Sequence, residues 1–461
     1  MDESTREGKE GSNNGGHIKK NNKNIIKKLQ DCELSCKPHR AFVAATAPHR
    51  FQDMRLSNKL DTHNSKHKSP PSHILPFLME STKIVQIVAA KNIVFVLADS
   101  GLCAAFSSET YERICFMNLH PNDIIESLFY NKNNDSLITV SDYGYGNLSS
   151  RKYRSTSIEY IRRAKPDDGS HIFQSVSFVV KFDDVNVKVL TYSLQDSIFK
   201  LFDLKNYTFL YSFSFSNVQQ VNISSGMMLF IFKKTSDHIP IKIISIEDGV
   251  VLKEFSYLHL NKEVDFIVPC NEKLLVKQDN ANLQIFDLPS FKNMVAVRRR
   301  EFMTSRFIFL RKKQIFLTLK IETISVWNFR GELVTCTSWE DHLLWHPLWH
   351  PDFKNINYIT SDQNLIISYC RDDSEDQSMV TNAVGSINVS SILSGKCVAK
   401  INAAKALEGI DSSQGRSSVE EALEGITTLY YDEERNAIYT GNRHGHVHVW
   451  SNSNQLMKKK E

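Results

Sequence analysis

Short apolar stretches alternate with polar residues along most of the chain from about Ile84 onward. A period of two over four to eight residues, bounded by Gly, Asn, Asp and Ser, is typical of β-strands. Few segments carry the apolar spacing that a helix of three turns requires. The pattern therefore predicts an all-β fold.

Several alternating strands end in an aromatic or apolar anchor residue followed by a small polar residue. The clearest cases are Phe106-Ser107, Phe202-Asp203, Phe286-Asp287, Trp327-Asn328 and Trp450-Ser451, and weaker ones end near Arg154, Ile246 and Ser391. The gaps between anchors are 48, 48, 44, 40, 41, 64 and 59 residues, and most lie near the roughly 40–45 residues of a propeller blade. We predict a single β-propeller of eight four-stranded blades, because such sheets must stack to bury both faces. Seven blades is the alternative, since two anchors are weak.

The two long gaps contain insertions, the acidic stretch Arg371–Asn382 and the segment Ala403–Glu424. Residues 1–72 are rich in Asn, Lys, Ser, Gly and His without sustained periodicity, which predicts a disordered basic tail. The predicted propeller spans 73–453, and 454–461 form a charged C-terminal tail.

The last predicted blade lacks a fourth strand of normal apolar content. Its candidate strands are Thr427–Tyr431, Ala437–Thr440 and His446–Trp450, and mostly polar residues follow. Closed propellers commonly avoid an open edge by taking a strand from the other terminus. The apolar segment 73–80 lies just before the first blade, so we expect it to complete the last one.

Charge is unevenly distributed along the chain. Residues 1–72 hold 14 Lys/Arg and 8 Asp/Glu, whereas the remainder holds 42 and 44. A large nucleic-acid interface on the nearly neutral body is therefore not expected. The clusters Lys19-Lys20, Lys27-Lys28 and Arg298–Arg300 are better explained as solvated charge than as nucleic-acid contacts or import signals.

The chain has no apolar run near the roughly 20 residues that cross a bilayer, so no membrane association is expected. Acidic residues and the lack of an apolar stretch at the N-terminus argue against a signal peptide. A cytoplasmic or nuclear location follows as the expectation. The eight scattered cysteines should then be reduced thiols.

No catalytic, metal or cofactor motif is recognisable. Cys32 and Cys36 with His63 and His67 have zinc-ligand residue types, but 26 residues separate Cys36 from His63, which exceeds the usual interval. Ser338 lies near Asp341 and His342 without a nucleophile motif around it. The sequence predicts a protein without a cofactor and without enzymatic activity.

Three segments resemble the WD40/transducin-like repeat family, and most closely a group of single-propeller plant WD40-like proteins. They are Tyr439–Trp450, Val326–Val334 and Phe182–Asp203. The family places Ser/Thr on the second strand and Trp on the third, as Thr440 and Trp450 do here, but His444 replaces the turn Asp and Phe202 replaces a Trp. The resemblance covers roughly residues 80–452 and implies a propeller that binds other proteins.

Trp327, Asn328, Phe329 and Arg330 form the first candidate partner site. In WD40 substrate receptors of cullin-4 ubiquitin ligases, a Trp-Asp-x-Arg strand end helps contact the adaptor. An arginine on a rigid strand end presents a planar fork to a carboxylate. The simpler interpretation, which we favour, has Trp327 in the core and Arg330 topping the hairpin turn.

Trp349 is the second candidate, because Leu-Trp-His-Pro occurs twice, at 344–347 and 348–351. A duplicated loop is expected to present this indole to solvent or to a partner. The leading functional hypothesis is a protein-binding scaffold. A ubiquitin-ligase substrate receptor is an alternative, and a quinone-dependent propeller enzyme is the least favoured, because the chain lacks an export signal and a calcium loop.

Overall fold

The computed structural model describes part of the chain, and the statements that follow concern that part. The described ranges are 49–62, 82–120, 123–142, 151–175, 179–193, 197–224, 226–235, 238–258, 264–270, 272–278, 283–288, 293–297, 307–319, 323–338, 356–370, 384–403 and 413–452. The chain divides into two compact units, Met1–Gln52 and Asp53–Glu461. In the first, the described residues 49–52 are helical.

The second unit is built from β-strands that form eight four-stranded antiparallel sheets. The first sixteen strands are β1 (Met54–Asp61), β2 (Ile84–Ala90), β3 (Ile93–Ala98), β4 (Cys103–Ser107), β5 (Arg113–Phe116), β6 (Ile124–Asn131), β7 (Ser136–Asp142), β8 (Arg151–Ser157), β9 (Ser170–Ser175), β10 (Val179–Asp183), β11 (Lys188–Ser193), β12 (Ile198–Asp203), β13 (Phe209–Ser214), β14 (Val218–Ser224), β15 (Met227–Phe232) and β16 (His238–Ser245). The others are β17 (Val251–Leu258), β18 (Val264–Cys270), β19 (Lys273–Gln278), β20 (Leu283–Asp287), β21 (Asn293–Val297), β22 (Phe307–Leu310), β23 (Ile315–Leu319), β24 (Thr323–Asn328), β25 (Leu333–Ser338), β26 (Asn357–Ile359), β27 (Leu365–Cys370), β28 (Ser386–Ser391), β29 (Cys397–Ile401), β30 (Ile426–Asp432), β31 (Ala437–Asn442) and β32 (His446–Asn452). Helix α1 is Ile158–Arg162, and helix α2, Ser413–Leu423, lies in the second insertion.

Each sheet is one blade of a propeller. Blade 1 is β2–β5, and the next six blades take four consecutive strands each, through β26–β29 of blade 7. Blade 8 has the order β30–β31–β32–β1. The eight-blade prediction is therefore confirmed, and every anchor lies on the third strand of its blade except Ile246, which directly follows β16.

The ring is closed by a strand other than the expected one. β1 pairs antiparallel with β32 and is the outer strand of blade 8. The propeller thus begins at Met54, inside the segment assigned to the tail, while residues 73–80 lie outside the described part. Met54 and Leu60 are buried, and Leu60 packs with Ile84 of blade 1 and Val447 of blade 8. Only these two of eight side chains in β1 are buried, so its apolar pattern is faint.

A β-bulge recurs where the third and fourth strands pair in every blade. The third-strand residues at the bulges are Phe106, Arg154, Phe202, Ile244, Phe286, Trp327, Ser390 and Trp450. A bulge places one extra residue on one strand and increases the local twist. The anchors read from the sequence are these bulge residues in six blades and lie within two residues of them in the other two.

The small polar residue after the anchor caps the turn into the fourth strand. The Asp203 carboxylate accepts a hydrogen bond from the Lys205 amide at 2.6 Å, and the Ser107 hydroxyl accepts one from the Glu109 amide at 3.2 Å. Short polar side chains favour turns because they satisfy nearby backbone donors in this way. Bulge and capped turn together explain why the aromatic–polar dipeptide recurs.

Two tryptophans make the same hydrogen bond in their blades. The indole nitrogen of Trp450 donates to Thr440 Oγ1 at 3.0 Å, and that of Trp327 donates to Thr318 Oγ1 at 2.9 Å. All four residues are buried. The pair lets a large aromatic side chain fill the space between blades without leaving its N–H unsatisfied.

The closing strand should be essential for stability. Leu60→Ala should lower the free energy of unfolding by about 2–5 kcal/mol, because it opens a cavity between blades 8 and 1. Val185→Ala, a similar truncation at a site that is 82% exposed, should change it by less than about 0.5 kcal/mol. Denaturant titration measures both, and equal effects would show that β1 does not pack into the ring.

A double-mutant cycle measures the free-energy contribution of the hydrogen bond between Trp450 and Thr440. Thr440→Val should cost about 1–3 kcal/mol in the wild-type background, because the buried indole N–H loses its acceptor. The same substitution should cost less in Trp450→Phe, where no N–H remains. Costs that add within about 0.3–0.5 kcal/mol would contradict this coupling.

Candidate interaction surface

The segment Trp327–Arg330 turns at the edge of blade 6, between β24 and β25. Trp327 and Phe329 are buried in one apolar cluster with Phe316. Asn328 Oδ1 accepts hydrogen bonds from the backbone amides of Arg330 at 3.0 Å and Glu332 at 2.9 Å. Arg330 alone of the four is exposed, so a partner at this turn would meet the guanidinium rather than the tryptophan.

The other residues predicted from the sequence are buried, half-buried or outside the described part of the chain. Among the repeat positions, Phe106, Thr440 and Trp450 are buried, while Phe202 and Phe286 are half-buried. Trp349 lies outside the described residues. So do the lysine pairs, Arg298–Arg300 and the Cys32–His67 group, and the structure places none of these.

Exposed apolar side chains are concentrated on three blades. Ten large apolar residues are exposed in the described part of the chain, and eight of them belong to blades 3, 4 and 6. Seven of these lie where the outer strand begins, at or beside the bulge; they are Phe209, Leu210, Val250, Val251, Leu252, Leu333 and Val334. The bulge contributes to this exposure because its extra residue has no partner across the strand pair.

The outer strand of blade 3 contacts the turn of blade 4 beside these exposed residues, and we name Phe209, Leu210 and Val250–Leu252 the rim surface. Tyr211, next to Leu210, donates a hydrogen bond from Oη to the Ile246 carbonyl at 2.7 Å. A Cβ on Gly249 would lie 2.7 Å from the Tyr211 ring. The turn that leads into Val250 is therefore packed against β13. Burial, with Asp248 and Glu247 nearby, raises the pKa of Tyr211 to about 12, so the phenol remains a donor at neutral pH.

Carboxylates predominate in the turns beside the rim surface. The turns carry Asp183, Asp184, Asp203, Glu247 and Asp248, against the lysines Lys188 and Lys205. Hydrogen bonds from the Ser245 hydroxyl and the Val250 amide lower the pKa of Asp248, which keeps it ionised. Lys188 Nζ lies 3.6 Å from Glu247 Oε2, and the Glu247 side chain is 69% exposed. The apolar surface is thus bordered by net negative charge.

Two of the described cysteines have unreactive, buried thiols. Burial raises the pKa of Cys370 to about 12 and that of Cys270 to about 11, so these thiols are protonated at neutral pH. No group of three or more His, Cys, Asp or Glu among the described residues is placed to hold a metal ion. No helix in the same part of the chain is long and apolar enough to span a membrane.

Sequence reasoning did not find the rim surface, although a signal for it exists. Each outer strand on these blades starts with two or three consecutive apolar residues, as in Phe209-Leu210 and Val250-Val251-Leu252. A regular half-buried strand would alternate instead. Consecutive apolar residues after a capped turn therefore mark a bulge that exposes one of them.

Comparison with known proteins places the chain in a family without assigning a function. No curated protein matches it. Among solved structures, it is similar to the computationally designed Ika8 protein at 14% identity (81% of this chain and 97% of that chain covered; TM-score 0.47). It is also similar to BamB from Moraxella catarrhalis at 10% identity (86% and 97% covered; TM-score 0.43). Residues 39–450, a range that includes β1, match a family described as a domain of unknown function, DUF7899, and the chain therefore belongs to that family.

Proposed function

We propose that this protein is a non-enzymatic scaffold that binds other proteins through the rim surface of blades 3 and 4. The observation that carries the proposal is the concentration of exposed apolar side chains there, with Phe209 56% and Leu252 55% exposed. Contiguous exposed apolar residues on a soluble protein mark interaction sites, and aromatic side chains often anchor them. A cytoplasmic or nuclear location belongs to the same proposal.

The acidic turns specify the partner's chemistry. Asp184 and Asp248 are exposed in turns that also carry the exposed Val185 and Val250. The complementary partner is a protein segment that presents apolar side chains flanked by Lys or Arg. Rigid blades hold the turns in place, which reduces the ordering cost of binding. The resemblance to WD40 proteins that the Thr440–Trp450 pair carries also favours the proposal.

A ubiquitin-ligase adaptor is the second candidate partner, at a different surface. Arg330 is exposed at a turn fixed by Asn328, and the adjoining Leu333 and Val334 are exposed as well. Arginine is one of the residues enriched at binding hot spots. This surface belongs to blade 6 and can be tested separately from the rim surface.

The rim surface should lose its partner when its apolar anchors become polar. Phe209→Asn and Leu252→Asn should each weaken binding at least about tenfold, since each removes apolar contact area. Ile124→Asn is the matched control, because Ile124 is 51% exposed on blade 2. All three variants should unfold within about 0.5 kcal/mol of the wild type.

The measurement is quantitative affinity capture from lysate at low and moderate salt, with denaturant titration of each variant. We expect proteins that wild type and Ile124→Asn retain to be lost from Phe209→Asn and Leu252→Asn, and retention to fall as salt rises. Identical protein sets at identical yields from all four forms would refute the rim surface as the docking site.

Arg330→Ala tests the second candidate. If blade 6 binds a cullin-4 adaptor, this substitution should weaken binding about tenfold or more, and Arg330→Lys should not restore it, because the planar fork is lost. Lys396→Ala is the control, since Lys396 is exposed in the corresponding turn of blade 7. Titration of purified adaptor by calorimetry gives the affinities. Wild-type affinity in Arg330→Ala would eliminate this candidate.

A further inference from the structure

Two histidines and a lysine lie together where β1 pairs with β32, a pairing that we call the seam. Across the pairing of β1 with β32, Lys59 lies opposite His448 and Asp61 lies opposite His446. His446 and His448 are two residues apart on one strand, so their side chains share a face. Their ring centroids are 6.3 Å apart.

His448 is a buried polar side chain whose ring nitrogens have no hydrogen-bond partner among the described residues. Only 1% of the residue is exposed. Two neighbouring nitrogens, Nδ1 of His446 and Nδ2 of Asn442, also lack a hydrogen-bond partner in the described part of the chain. Buried polar atoms are nearly always satisfied, and each exception needs an explanation.

An ion pair joins the closing strand to helix α2 beside these histidines. Lys59 Nζ lies 2.7 Å from Glu421 Oε1, with side chains 40% and 44% exposed. The same carboxylate oxygen lies 3.5 Å from His446 Nδ1. The groups that act electrostatically on the two imidazoles are Lys59 and Asp61 from β1, Glu421 from α2, and His444 from the preceding turn. The Glu421 carboxylate therefore forms an ion pair with Lys59 and interacts electrostatically with both imidazoles.

We propose that this cluster is a proton-operated latch, in which protonation of His448 loosens the pairing of β1 with β32 and so opens this seam of blade 8. A charged imidazole at this position would be buried without an acceptor, opposite Lys59. Release of β1 exposes His448 to water and separates it from Lys59. The open seam therefore binds the proton more tightly than the closed seam.

The pH range follows from the two protonation equilibria. Burial first, and Lys59 second, lower the pKa of His448 to about 4, whereas an exposed histidine titrates near 6.5. Between these values the open seam carries more protons than the closed one. The closed seam is therefore most stable above about pH 6.5. The equilibrium constant that favours the closed over the open seam falls as the pH drops toward 4, by up to about tenfold per pH unit.

Hydrogen exchange of β1 in the full-length protein tests the latch. Amide protection factors are measured at pH 7.0 and 5.5 by mass spectrometry and corrected for intrinsic exchange, with β13 as the reference outer strand. In wild type, β1 should lose about tenfold more protection than β13 on acidification. In His448→Gln, which cannot titrate at this position, this extra loss should shrink, and the remainder belongs to His446, whose pKa burial also lowers. Parallel losses in β1 and β13, or an unchanged extra loss in the variant, would overturn the proposal.

A disulfide across the pairing of β1 with β32 provides a second test in case His448→Gln does not fold. Arg55 and Ser451 are direct partners in the pairing of β1 with β32, so Arg55→Cys with Ser451→Cys can form a disulfide there. The oxidised double variant should show no extra acid-dependent loss in β1, and its reduced form should show the wild-type loss. If the oxidised form retains the loss, the seam is not the element that moves.

Discussion

The pairing of β1 with β32 is the interaction on which the rest of the propeller depends. A four-stranded blade has two apolar faces and can bury both only between two neighbours. Blades 1 and 8 become neighbours solely through ring closure, and Leu60 of β1 packs into the cluster that joins them. The described cysteines form no disulfide, so this closure rests on strand pairing and side-chain packing.

The anchors could be predicted from the sequence because one backbone device recurs in all eight blades. A bulge demands a suitable side chain on the third strand and a capped turn immediately after it, as at Phe202 and Asp203. Because the anchor and its capped turn are adjacent in the chain, this requirement appears as a short pattern in the sequence. β1 could not be predicted in the same way, since its pairing partner is almost 400 residues away and only Met54 and Leu60 are buried. The rim surface was missed because its signal, consecutive apolar residues such as Phe209-Leu210, is also what a buried strand would show.

The third-strand residue at the bulge is not aromatic in every blade, and a local sequence pattern does not predict which residue replaces it. In blade 2 this position is occupied by Arg154, which is buried and donates hydrogen bonds to the carbonyl oxygens of Met117 and Pro166. Burial lowers the pKa of this guanidinium. The Met117 hydrogen bond ties blade 2 to blade 1, whereas Trp327 packs in an apolar cluster with Leu275 of blade 5. Such bonds are directional, so the position can hold a cation only where carbonyl oxygens are already in place.

The separation of the seam from the rim surface determines how far one can influence the other. In an eight-blade ring, blades 1 and 2 lie between the seam and blade 3, and blades 5 to 7 lie between it and blade 4 on the other side. Blades contact only their neighbours, so coupling between distant ones passes through each intervening interface. Release of β1 would remove the outer strand of blade 8 and would leave the packing of blades 3 and 4 intact, including the contact of Tyr211 with the Ile246 carbonyl. A protein bound at the rim surface could therefore remain bound while the seam opens, and the two sites would act independently unless a single partner spans both.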